Sequence, residues 1–163
     1  MLTVKVNGEV EVRAGYNTPD NIIQSFVASH SDWIKKQQAK FADRYHHRIV
    51  VPKSDREHIK KQLLPQMLQL SEYYSQLMDV TPNGIKITSA QKRWGSCNSN
   101  KSICFSYRLA FVSDRCKRYV VIHELSHLKQ LNHSQKFYDI VKKYMPDYKE
   151  AEKELEGYYI KEE

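Results

Sequence analysis

Glycine is scarce in this chain, five residues in 163, and no two of them lie close together as a loop that wraps phosphate would need. That counts against a Gly-rich phosphate-binding site. Cysteine is scarcer. Cys97, Cys104 and Cys116 are odd in number and form no C-x-x-C pair, so they read as reduced, mostly buried thiols. Cys97 as a nucleophile lacks a local base in sequence. No apolar run approaches a membrane span. The N-terminal segment has neither a signal-peptide core nor a small-residue cleavage site, so the expected place is the cytoplasm, away from membranes. Repeats and low-complexity linkers are absent as well. Acid is missing from residues 80–113, which carry Lys86, Lys92, Arg93, Lys101 and Arg108 in a chain of net charge +7. Such a stretch either steers an anionic substrate or a carboxylate terminus, or forms a solvated basic face.

What is present is concentrated in the last third. His123-Glu124-Leu125-Ser126-His127 is followed six residues later by His133. Imidazoles at i and i+4 project from one side of an α-helix and can share a metal ion, and Glu124 stands on the rim of the same face. With 7 His in the chain, the chance expectation for this pattern is roughly 0.02 matches. The segment also reads as a helix. Ser113 or Asp114 can cap its start, and Val120, Val121, Ile122, Leu125 and Leu128 place apolar groups on several sides, as in a buried central helix. The alternative of two satisfied core histidines leaves the glutamate unexplained.

The chemistry follows from the ligands. Neutral His123, His127 and His133 leave one Zn²⁺ its full charge, enough to bring the pKa of bound water to around 7. Glu124 is the expected general base. Arg93, Arg108, Tyr119 and Tyr138 are candidates for holding a developing oxyanion. His133 is spaced as in H-E-x-x-H-x-x-G-x-x-H sequences, but Gln130 replaces the glycine, so Asn132 is assigned the αL residue that ends the helix. Glu150 and Asp147 are the rival third ligands. His30, His46, His47 and His58 read as bystanders.

The rest of the chain predicts an α+β domain. Val4 and Val12, and Val6 and Val10, are expected to pair in an N-terminal hairpin with a three-residue loop, because that register keeps the valines on one face. Thr18-Pro19 starts a short helix striped by Ile22, Ile23, Phe26 and Val27, and residues 31–34 start a second. Residues 49–52 end this N-terminal portion. Ser54-Asp55-Arg56-Glu57 reads as a capping box for a long helix lined by Ile59, Leu63, Met67, Leu70, Tyr74 and Leu77, kinked or split by Pro65. Residues 85–88, 93–97 and 102–109 are expected as a small antiparallel meander feeding the metal helix. Ser134 caps the next helix, with Phe137, Ile140, Val141 and Tyr144 buried. Pro146-Asp147 begins the last, whose acids Glu150, Glu152, Glu154 and Glu156 should be solvated. Two parts result: residues 1–53, a β-hairpin with helices, and residues 54–163, the metallohydrolase domain.

Arg93-Trp94-Gly95-Ser96-Cys97, then Val120-Val121-Ile122-His123-Glu124-Leu125-Ser126-His127-Leu128, then Asn132-His133-Ser134 and Pro146-Asp147-Tyr148, resemble the YgjP-like family of zinc metallopeptidases over residues 63–156. Residues 9–34 also look like that family's N-terminal segment. The resemblance implies a zincin-like core shared with SprT-like proteases and metal ligation by His123, His127 and His133. Tyr138 departs from the usual tryptophan. A basic strand that commonly precedes the position of Leu2 is not seen, and a β-rich stretch is reduced to residues 41–53. Arg93, Trp94, Gly95 and Ser96 are expected to wall the substrate cleft, with Gly95 permitting close backbone approach.

The leading expectation is a zinc-dependent hydrolase acting on peptides or proteins. Two others compete. One is a metal-dependent nucleoside triphosphate pyrophosphatase or other phosphoanhydride hydrolase, for which the basic stretch would suit a nucleotide. The other is a non-catalytic, metal-stabilised module that binds nucleic acid.

Overall fold

The computed structural model describes residues 1–5, 8–45 and 47–163. They divide into two compact units, Met1–His46 and His47–Glu163. Among the described residues no helix is long and apolar enough to cross a membrane.

In the first unit, strands β1 (Leu2–Val4) and β2 (Val10–Val12) pair antiparallel, followed by helices α1 (Asp20–Ser29) and α2 (Ser31–Arg44). The register differs from the expected one. Val4 faces Val10 and Leu2 faces Val12, so the Val4–Val12 pairing is replaced. The Val6–Val10 pairing involves a residue outside those described. The strands end earlier than expected, where the Lys5 N–H donates to the Glu9 carbonyl and Gly8 adopts φ 89°. This two-residue shift preserves side-chain parity, so the same faces stay together. Pro19, rather than Thr18, occupies the α1 cap position, and its carbonyl accepts from the N–H groups of Ile22 and Ile23. No residue of α1 is buried.

The second unit contains β3 (His47–Val51), α3 (Arg56–Met78), β4 (Gly84–Thr88), β5 (Gly95–Cys97), β6 (Ser102–Ser106), α4 (Asp114–Ser126), α5 (Gln135–Tyr144), α6 (Tyr148–Glu156) and β7 (Tyr158–Glu162). Strand β3 pairs in parallel with β7 along its whole length, so the boundary between units falls before this strand. Val51 and Ile160 are the buried residues of the pair, and exposed His47 stacks on Tyr158. A 3₁₀ turn over Lys53–Asp55 leads into α3 in place of a capping box, because the Ser54 hydroxyl donates to the Asp55 carboxylate instead of receiving a helix N–H. Helix α3 runs unbroken through Pro65. That proline lies on the solvent side, where water can satisfy the carbonyl it leaves unpaired. Its buried stripe ends at Met78, with Leu77 exposed.

The three-stranded sheet has the order β4-β6-β5 and is mixed, not an antiparallel meander: β4 runs parallel to β6, and only β5 is antiparallel. After β4 the chain crosses to the far side of the space that β6 will fill. The crossing is fixed by β6 and the turn after it. The Ser106 hydroxyl donates to the Ala90 carbonyl (2.7 Å), and its N–H donates to Trp94 (2.8 Å). Strand β6 carries fully buried Ile103 and Phe105 and gives way to a 3₁₀ segment, Tyr107–Phe111, earlier than expected.

Helix α4 lies at the centre, packed against α3, α5, α6 and β5. The Ser113 hydroxyl accepts from the Cys116 N–H at its start, as a cap should. Val121, Ile122 and Leu125 are fully buried. The three cysteines are free thiols.

Candidate metal centre

The three sequence-predicted imidazoles converge. One ligand nitrogen from each of His123, His127 and His133 lies within 4.8 Å of the other two. The His123 and His133 Nε2 atoms are 3.0 Å apart. Two nitrogens bound to one tetrahedral zinc stand about 3.3 Å apart, so the donor set and its spacing fit such an ion. Burial, then His127 and His133, push the His123 pKa down to about 3, and burial also lowers that of His127. Both rings are therefore neutral at pH 7, with lone pairs available to a cation.

The turn that delivers His133 differs from the one expected. Helix α4 stops at Ser126, whose hydroxyl donates to the Ile122 carbonyl, and i→i+3 bonds from His127, Leu128 and Lys129 wind the chain down. Asn132 has no positive φ, so it supplies no αL cap. Gln130 organises the turn instead. Its carbonyl stands 3.2 Å from His127 Nδ1, and its amide donates to Asn132 Oδ1. A proton on His127 Nδ1 bonds that carbonyl and leaves Nε2 for the metal. The rival ligands Asp147 and Glu150 are engaged by the Arg115 guanidinium, and Asp147 lies 2.8 Å from it.

Glu124 is 5 % exposed. Burial raises its pKa to about 7, against an opposing effect from the Arg93 charge. A carboxyl poised near neutrality both takes and returns a proton readily. Gly95 of β5 lies directly against it: a Cβ at position 95 would stand 2.5 Å from Glu124 Oε1 and 2.7 Å from its Cγ. A side chain there would have to displace the carboxyl or the strand.

A cleft of about 350 Å³ opens beside His123 and Glu124, and Arg93, Trp94 and Gly95 are among the residues that line it. Ser96 does not, because alternation along β5 turns it from the face that Gly95 presents. Of the oxyanion candidates, Arg93 and Tyr119 reach the cleft. Arg108 does not: it is buried, stacks over the Trp94 ring at 4.2 Å and donates to the Gln91 carbonyl, so it braces the cleft wall from behind. Tyr119 donates its hydroxyl to Glu152 at 3.0 Å, and Tyr138 has its ring 6.3 Å from that of His133. Glu152 and Glu156, expected in solvent, line the cleft. Burial raises the Cys97 thiol pKa, with Glu124 adding to it, which disfavours the thiolate that a nucleophile needs.

Phe137 was legible only as a core residue. Its ring contacts all three imidazoles, with centroids at 4.8, 4.6 and 4.7 Å from His123, His127 and His133, and it is fully buried. Its place one turn into α5, soon after His133, was the available signal. Phe137→Ala should therefore remove the floor under the three imidazoles. Thermal and chemical denaturation should show a loss of about 3–5 kcal/mol. Competition with a chromogenic chelator should show zinc held at least ~10-fold more weakly. Unchanged zinc affinity in a folded variant would refute this role for the ring.

The fold and site thus define an α+β, zincin-like domain with three imidazoles gathered at one helix end. The crystal structure of the metallopeptidase zymogen of Pyrococcus abyssi abylysin is similar to this chain with a TM-score of 0.51 at 22% identity, over 55% of this chain and 90% of that one. That likeness is one of fold. No curated protein matches. The family model for the YgjP-like metallopeptidase domain matches residues 1–59 and 50–158, and the chain belongs to this family.

Proposed function

We propose that the protein is a zinc-dependent peptidase in which His123, His127 and His133 hold one ion and Glu124 is the general base. The observation that carries this reading is the meeting of three ligand nitrogens beside the buried Glu124 carboxyl, on the wall of the same cleft. When bound, zinc supplies the Lewis acid that polarises the scissile carbonyl and acidifies the attacking water. Glu124 takes the proton of that water and returns it to the departing amine nitrogen as the C–N bond breaks. Gly95 keeps the carboxyl in place by packing, and Arg93 lies where a positive charge can offset developing negative charge. Strand β5 is at the edge of its sheet, so an extended peptide can pair with its main chain beside the imidazoles. The second unit, His47–Glu163, contains all these groups and is the catalytic domain in this reading.

The phosphoanhydride and nucleic-acid readings suit the cleft less well. Arg93 is the one cation among its described lining residues, against Glu124, Glu152 and Glu156. A polyanion would meet mostly carboxylates there.

The test is to offer the full chain, loaded with one equivalent of zinc, a peptide pool and a nucleoside triphosphate pool, with products read by mass spectrometry. Peptides should be cut, cutting should stop on chelation and resume with zinc, and nucleotides should survive. Phosphate release without peptide cleavage would reverse the assignment.

A further inference from the structure

The acids of α6 give the cleft a character that the sequence did not suggest. Its walls are apolar, formed by Trp94, Val120 and Leu155, while Glu152 and Glu156 supply carboxylates. One Glu152 oxygen accepts from Tyr119, and the other has no hydrogen bond among the described residues. Glu156 is exposed and forms no ion pair among them. Arg93 pairs with neither, and its charge acts on Glu124. Glu124 is more than nine-tenths buried and lines this cavity, and its carboxyl has no hydrogen-bond partner among the described residues. The cavity of about 350 Å³ thus holds in one lining the proposed base and two carboxylates that form no ion pair among the described residues.

A lysine or arginine side chain matches this combination: an aliphatic stem for Trp94 and Leu155, and a cationic head for the acids. An acidic side chain would be repelled, and a short neutral one would leave the carboxylates unpaired. We propose that this cavity is a specificity pocket for a basic side chain beside the scissile bond, with Glu152 and Glu156 as its counterions. The assignment rests on the peptidase reading above. A substrate's N-terminal ammonium has the same charge but no stem to cover the apolar walls.

The experiment uses the zinc-loaded full chain and peptides identical except for lysine, norleucine or glutamate at each position flanking the cut, each with a free or acetylated N-terminus. kcat/KM for lysine should exceed that for norleucine by roughly tenfold, the combined effect of two partly solvated ion pairs, and the ratio should shrink at high salt. It should fall toward unity in Glu152→Gln/Glu156→Gln. Glu156→Lys should lower the lysine-to-norleucine ratio further than Glu156→Gln does, and this exposed position keeps the test available if the Glu152 change disturbs folding. A preference that is absent, or identical in these variants, overturns the proposal. So does one that follows the free N-terminus and vanishes on acetylation. Fluorescence anisotropy with labelled peptides separates the two readings. If no peptide is cut yet the lysine peptide binds about tenfold more tightly, with the variants abolishing that margin, the pocket stands and the peptidase reading fails. Cutting without preference fails the pocket alone. Neither cutting nor selective binding fails both.

Discussion

Zinc-loaded Glu124→Gln should keep its metal and its fold and cleave peptides about 10³-fold more slowly than the unaltered chain. The glutamine amide nearly matches the carboxyl in shape, so it still fits against Gly95, and the three imidazoles are untouched. What disappears is the carboxyl proposed to take the proton of the attacking water. The readouts are kcat with KM little changed, and zinc content by mass spectrometry of the intact protein. A variant that retains turnover would remove Glu124 from the chemistry. The same substitution makes a second measurement possible in the metal-free protein. Folding raises the Glu124 pKa from 4.5 to about 7. Below pH 4.5 the group is protonated in both folded and unfolded chains and contributes nothing. Between 4.5 and 7 the folded chain binds more protons, so stability falls as pH rises, with a full cost of about 3 kcal/mol above pH 7. Glutamine has no such slope. The metal-free variant should therefore gain about 3 kcal/mol relative to the unaltered chain between those pH values. His123, with its folded pKa near 3, makes both proteins more stable as pH rises toward 6.5, and this cancels in the comparison. Parallel pH profiles for the two proteins would show that Glu124 is ionised at its ordinary pKa.

Gly95→Ala should lower kcat about 10²-fold while zinc stays bound. The added methyl would stand 2.5 Å from Glu124 Oε1, 2.7 Å from Cγ and 2.9 Å from Cδ, all well inside van der Waals contact. The carboxyl is the far end of a flexible side chain, but it is buried between β5 and its own helix. Relief thus moves either the proposed base or the cleft wall, by up to about an ångström. The imidazoles project from α4 and the turn after it, so metal affinity is insulated from the change. Zinc titration and steady-state kinetics on one preparation separate these effects. Loss of zinc together with activity would mean that Gly95 supports the whole centre and does more than space the carboxyl.

His123 and His127 were legible because helical periodicity alone puts i and i+4 on one side. His133 was legible by spacing, but the turn that places it was not. Asn132 was the plausible αL residue, whereas the chain uses a string of i→i+3 bonds and the Gln130 carbonyl. Turn conformation depends on which buried polar groups need partners, and those are known only after packing. Strand β5 is legible in the sequence but the mixed pairing of its sheet is not, because three short strands in succession do not reveal that the first and third become neighbours. The acids of α6 read as solvated for a similar reason. Their periodicity shows a polar face but not that this face closes the cleft over His123.

The sequence by itself determined the helix, the three imidazoles, Glu124 beside them and the cap at Ser113, all of them consequences of local spacing. Only the tertiary structure decided that Gly95 lies against the carboxyl, that Phe137 supports all three rings, and that Glu152 and Glu156 face the cleft. Apart from the Phe137–His133 contact, which is local, these contacts join segments well separated along the chain, and their proximity arises from burying β6 and α4 in one core, which no local pattern encodes.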